Sequence, residues 1–285
     1  MQLPSTTSIV NQQNIQIVEV DNKHAKASIS LFGGHVIRYM PKADQRQRLW
    51  LSEKAIFDGE QALRGGVPVC WPWFGDHQVS RIDPNDRRFP AHGYVRKQLW
   101  DITDCQETPQ GTQLTLQPKS SQGPGFDGHA QVSLVIHVGQ GLSMQLVTKN
   151  LGKQAFDFNC ALHSYFAVED IHHTQLRGLS GDYSDKTRDW KILPTPNSYT
   201  FSEECDRVHL SQPKQVAIVD GNSRTEIASR GHDSMVVWNP WAENSAAMAD
   251  MTDKGFESML CVETAITQGH TLGPGETHIL EQIIG

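Results

Sequence analysis

The chain has 285 residues, 25 Lys+Arg against 32 Asp+Glu, and a formal charge of −7. An acidic surface repels nucleic-acid backbones and anionic membranes, which argues against a broad polyanion-binding face but leaves room for a locally positive pocket, since beyond a Debye length of about 8 Å distant charges count for little. With 38% hydrophobic and 20% charged residues the composition is globular and sufficient for a large core, and no run of about 20 apolar residues could span a bilayer as a helix.

The opening MQLPSTTSIVNQQ lacks a basic stretch followed by an apolar one, so it does not read as a secretory leader. Cys70, Cys105, Cys160, Cys205 and Cys261 are odd in number and never form CxxC, which predicts reduced thiols and a cytoplasmic setting. Short runs of period-two alternation begin with Ile15 and Ile17, then Ala27, Ile29 and Leu31. LRGGVPVCWPWFGDH (63–77) follows, with Arg64 ahead of two glycines and a rigid Pro/Trp stretch. It reads either as a packed bend with an exposed arginine or as an arginine fork for a carboxylate or phosphate.

In FPAHGYVRK (89–97), His92 and Arg96 lie four apart, where an extended chain puts both on one face, suited to an anion or polyol. Arg87 and Arg88 nearby are equally consistent with a solvated face paired to Asp83 and Asp86. Leu114 and Leu116 mark another strand, and SSQGPGFDGH (120–129) reads as a mobile loop. The clearest hairpin is Val132, Leu134, Ile136, Val138, then Gly139-Gln140-Gly141, then Leu142, Met144, Leu146.

FDFNCALHSYFAVED (156–170) embeds His163 among apolar residues, with Tyr165 on the same side of a strand. A lone histidine there is commonly a satisfied core residue; as a catalyst it could donate a proton near neutral pH. QVAIVDGNSRTEIA repeats the hairpin design around Asp220-Gly221-Asn222. PWAENSAAMADMTDKG (240–255) predicts the one short helix, stopped at Gly255. In SMLCVETAITQG (258–269), Glu263 interrupts a hydrophobic strand, where a carboxylate needs a pocket or a dedicated partner. Burial would also raise its pKa and improve it as a general base. THILEQII follows after the turn LGPGE.

GxGxxG occurs only as GPGFDG (123–128), inside a loop with no strand-to-helix pattern around it; GxxxxGK[ST], GxSxG and HExxH do not occur, and the His172-His173 pair has no carboxylate at a familiar ligand offset. Nucleotide, metal and covalent-hydrolase chemistry are therefore unsupported, and no cofactor is predicted. The fold class is all-β, a large antiparallel β-sandwich over residues 1–285, with a concave face for a ligand.

Taken together, LRGGVPVCWPWFG, FPAHGYVRK, ALHSYFAV and CVETA are similar, in order and approximate spacing, to the hexose-6-phosphate mutarotases (glucose-6-phosphate 1-epimerases) of the aldose 1-epimerase superfamily, from about residue 25 onward. The resemblance implies a sandwich of the galactose-mutarotase type, His163 and Glu263 as catalytic residues, Arg64 and Arg96 on the phosphate, and His92 on the sugar. It further implies Asp185 on a sugar hydroxyl and places Trp238 against the sugar or in the core. The implied reaction interconverts anomers of an aldohexose 6-phosphate; separately, the default expectation is a monomer, and the charge and hydropathy above predict no nucleic-acid or membrane partner. Other readings are a sugar-binding or sensing protein on the same sandwich, a mutarotase for unphosphorylated aldoses and, more remotely, a lyase or hydrolase.

Overall fold

Alternation of apolar and polar residues gives each strand one face that must leave water, and the chain meets that demand with antiparallel sheets. The computed structural model describes residues 2–83 and 88–285, and in it every named strand pair is antiparallel. Asp86 and Arg87 lie outside the described residues. A four-stranded sheet holds Thr7–Gln12, Ile15–Asp21, Ala25–Ser30 and His35–Pro41. A nine-stranded sheet has Thr277–Ile284 between Ser223–Arg230 and Leu142–Asn150. The third has eight strands, with Met259–Leu272 between Ser234–Asn239 and Phe156–Leu162, and Cys205–His209, Asp182–Asp185 and Lys191–Pro194 extending one side. Buried residues from all three sheets, among them Ile29, Leu134 and Val262, join one continuous core.

Both hairpins form in the register their alternation demands. Leu134 faces Leu146 and Ile136 faces Met144, all fully buried. In the second, Val216 pairs with Ile227 across the two-residue turn Gly221-Asn222, where Gly221 takes the left-handed φ of +57°. The strands flanking LGPGE do not pair with each other as the hairpins do; the chain changes sheets there.

Two expectations are corrected. The short helix forms over Trp241–Ala247, but it ends well before Gly255, which begins a 3-10 turn rather than stopping it. Met248 turns extended, Met251 tucks into the interior, and Asp250 is carried to Arg64, so tertiary contacts override the helical propensity. The 120–129 loop is anchored, not loose: Phe126 packs edge-on against Trp71 at 4.9 Å, and the Tyr94 hydroxyl donates to the Ser121 carbonyl at 3.0 Å. Among the described residues no helix is long and apolar enough to cross a membrane.

Candidate active site

Strand register decides which side chains share a surface. Ser184 pairs with Val208, Val208 with Val236 and Val236 with Glu263, so these four point to one face of the eight-stranded sheet. Asp206, Trp238 and Cys261 form the next row of that face, with Tyr165 paired to Cys261. The alternate row, Asp185, Arg207, Val237 and Val262, points the other way.

Glu263 is 1% exposed, with its Oε1 3.4 Å from His163 Nδ1, while the His163 side chain keeps 12% exposure. Neither His163 Nδ1 nor Glu263 Oε2 has a hydrogen-bond partner among the described residues. Burial pushes the Glu263 carboxyl well above its ordinary range, with Lys186 opposing and Asp206 reinforcing the shift. Burial likewise holds His163 well below a normal histidine, helped by His92, Arg96 and Arg64. Tyr165 stacks on His163 at 5.0 Å, as the two-residue spacing predicts, and Trp238 stands edge-on to both rings.

The glycines of LRGG and AHGY are there because backbone must pass close. At Gly66 a Cβ would lie 2.4 Å from the Val36 carbonyl oxygen, and at Gly93 only 1.9 Å from that of Trp71. His92 itself adopts φ +62°, and Val95–Lys97 is a 3-10 turn, so His92 and Arg96 meet through a tight bend and not along an extended strand. His92 Nδ1 accepts the Gly75 N–H at 3.2 Å, which places its proton on Nε2. Burial, then the charges of Arg96, Lys186 and Arg64, lower its pKa to about 3, so it is a neutral donor beside His163, 5.5 Å away between ring centres.

The two arginines are held differently. Arg64 Nε donates to both oxygens of Asp250 at 3.1 Å, and its Nη1 donates to the Tyr165 hydroxyl at 3.1 Å. Burial opposes its charge, yet Tyr165 and Asp250 raise its pKa above the usual guanidinium value. Arg96 donates through Nη2 to the Ala91 carbonyl at 2.9 Å, and its buried Nε has no partner among the described residues. The charges of both arginines help to lower the pKa of His163 and of His92.

A cavity of about 960 Å³ lies over this face, with Phe74, His92, Ser184, Lys186, Asp206 and Thr267 in its wall. Lys186 is paired with Asp206 at 3.2 Å between the rings of Phe74 and Trp190. Asp185, placed on a sugar hydroxyl by resemblance, points away: its Oδ1 takes the Thr187 N–H at 3.0 Å, and its Oδ2 lies 3.5 Å from Arg207 Nε. Among the described residues two carboxylates line the cavity, Asp76 and Asp206; the latter goes unnoticed in the sequence because DRVHL carries no local sign of which side faces the site. Asp250 and Lys186 also went unnoticed, since their partners are distant in the chain. Cys261 was legible in principle: two residues before Glu263 on a strand, it must share that face.

The arrangement sets a buried carboxyl 3.4 Å from a largely buried imidazole, groups suited to moving protons on a polar ligand. The family model for aldose 1-epimerase matches residues 16–285. An Escherichia coli protein named as a candidate glucose-6-phosphate 1-epimerase is 34% identical over 256 residues, 88% of this chain and 83% of that one. A Cenchrus ciliaris protein of the same name is 31% identical over 272 residues, 88% and 78% of the two chains. A crystal structure of a candidate mutarotase from Salmonella typhimurium superposes with a TM-score of 0.90 at 30% identity, covering 99% of this chain and 94% of that one. With its fold, its motifs and nearly its whole length matched, the chain belongs to the aldose 1-epimerase family.

Proposed function

We propose that this chain interconverts the α and β anomers of an aldohexose 6-phosphate, glucose 6-phosphate foremost, by acid–base opening and closure of the ring. The observation that carries this is the 3.4 Å approach of His163 Nδ1 to Glu263 Oε1, with His92, a residue of the cavity wall, 5.5 Å from His163 between ring centres. A hemiacetal carbon bears two oxygens, and an acid and a base in contact can serve both. Glu263 takes the proton from the anomeric hydroxyl while His163 gives one to the ring oxygen. The C1–O5 bond breaks, the aldehyde turns about C1–C2, and closure on the other face returns both protons.

A neutral imidazole with a carboxylic acid holds the same number of protons as an imidazolium with a carboxylate. One transfer across the pair therefore arms it, and the protons consumed in opening return in closure. In this reading His92 Nε2–H and Asp206 hold sugar hydroxyls, Trp238 lines the ring's path, and Arg64 and Arg96 hold the phosphate. The names of the Escherichia coli and Cenchrus ciliaris relatives support this substrate. We read the protein as a cytoplasmic monomer.

The test is exchange NMR at neutral pH, comparing glucose 6-phosphate with glucose. Acceleration of the phosphate alone is the expected result, and acceleration of neither sugar would replace the enzyme with a sugar-binding protein. Charge-assisted bonds are worth roughly 1.5–3 kcal/mol each, so Arg96→Gln should cost the phosphorylated sugar about ten-fold or more and free glucose little. The clamp of Asp250 on Arg64 favours a second reading, a mutarotase for unphosphorylated aldoses; equal acceleration of both sugars would decide for it.

A further inference from the structure

The mechanism leaves one neighbour of the acid–base pair without a role. Cys261 is fully buried on the row beside Glu263, and one ligand atom each from His163, Cys261 and Glu263 lie within 4.8 Å of one another. We propose that His163 Nδ1, Cys261 Sγ and Glu263 form a three-ligand site for a thiophilic divalent cation, Zn²⁺ by chemical class, whose binding shuts the acid–base pair.

The geometry matches before any movement at two of the three ligands. With Zn–N and Zn–O bonds of about 2.1 Å at the tetrahedral angle, a nitrogen and an oxygen ligand stand about 3.4 Å apart. His163 Nδ1 and Glu263 Oε1 stand 3.4 Å apart. The sulfur, on a bond of about 2.3 Å, belongs about 3.6 Å from each, which a modest rotation of the thiol supplies from within 4.8 Å. Of the two matched atoms His163 Nδ1 is buried with no hydrogen-bond partner among the described residues, and so is Oε2, the other oxygen of the Glu263 carboxylate. The fourth position then belongs to water, in the manner of open zinc sites.

The charge inventory tolerates a cation. Lys186 is paired with Asp206, and Arg64 with Asp250, leaving Arg96 as the repulsive neighbour and neutral His92 and Tyr165 as packing. Binding deprotonates the Cys261 thiol and the Glu263 carboxyl, releasing those protons to solvent while His163 ligates as neutral imidazole. A thiolate and a carboxylate then neutralise the divalent ion. Affinity accordingly rises with pH. His163 is the member that reaches the surface and opens the way in.

The test is a Co²⁺ titration of the full chain followed by absorbance. A thiolate-to-cobalt charge-transfer band with the intense visible bands of four-coordinate Co²⁺ is expected, displaced by Zn²⁺. Cys261→Ala should abolish the charge-transfer band, and Glu263→Gln should keep it while weakening binding at least about ten-fold. No band in the wild-type protein at saturating Co²⁺, or a band unchanged in Cys261→Ala, overturns the site. Should Cys261→Ala fail to fold, the Glu263→Gln affinity decides: unchanged binding overturns it as well. This spectral arm contains no sugar, so it stands or falls apart from the anomerase reading. Protein loaded with Zn²⁺ and freed of excess metal should anomerise at least ten-fold more slowly and recover with EDTA; a full rate in the loaded protein overturns the inhibition.

Discussion

Glu263, the proposed base, is a side chain whose burial bears on stability as well as on chemistry. Its folded pKa lies above the ordinary 4.5, so above pH 4.5 the unfolded chain gives up a proton that the folded chain keeps, and stability falls as pH rises toward the folded value. Glu263→Gln should abolish anomerisation by about 10²-fold or more. It should also melt higher than the parent, by roughly 2–4 °C for each ~1 kcal/mol gained, with the gain growing from pH 5 to pH 8. Melting curves of both proteins at the two pH values check this, and a constant or negative difference would contradict it. His163 acts in the opposite pH direction: its folded pKa lies below 6.5, so stability is lost as pH falls below 6.5 and the unfolded chain takes up a proton first. Because the carboxyl is raised and the imidazole lowered, the pH range over which the pair holds a single proton shifts to a neutral imidazole beside a protonated carboxyl. The profile of kcat/KM should be a plateau whose acid limb lies below pH 6.5; a limb at or above that value would remove the buried histidine from the rate equation.

Among the elements, the bend carrying His92 and Arg96 depends most on a single residue. Gly93 at φ +71° sits against the Trp71 carbonyl, so Gly93→Ala combines a strained backbone with a clash no side chain can relieve. A loss of about 2–4 kcal/mol in denaturant unfolding is expected, together with a raised KM as the bend shifts. Gly221→Ala, whose added carbon meets nothing within 4 Å, is the control for φ alone and should cost about 1 kcal/mol. The elements also show how far a sequence can be read. Hairpins were legible because alternation and a glycine turn lie within 20 residues, and Glu263 was legible because a carboxylate in an apolar strand contradicts its surroundings. The facing of Asp185 and Asp206 was not: it is fixed by register across strands whose order no local pattern encodes. The helix end at Ala247 likewise depends on Asp250 reaching Arg64, a contact across 186 residues of chain.

At the scale of the whole molecule, five free cysteines all lie buried. Their thiols should ignore a bulky disulfide reagent in the native protein and react together on unfolding, with Cys70, Cys160 and Cys261 held above their ordinary pKa chiefly by burial. A thiol titrating rapidly without denaturant would show that the core opens locally.

The order of strands carries a consequence for biosynthesis. Met259–Leu272 and Thr277–Ile284 are the last strands of the sequence, yet each lies inside its sheet, between strands made earlier. A chain emerging from the ribosome therefore holds two half-finished sheets with unfilled gaps and open edges, and neither layer can close until translation passes both strands. Glu263, the proposed base, rides on one of those two strands, so a nascent chain stalled before it should be both inactive and in need of a chaperone's cover.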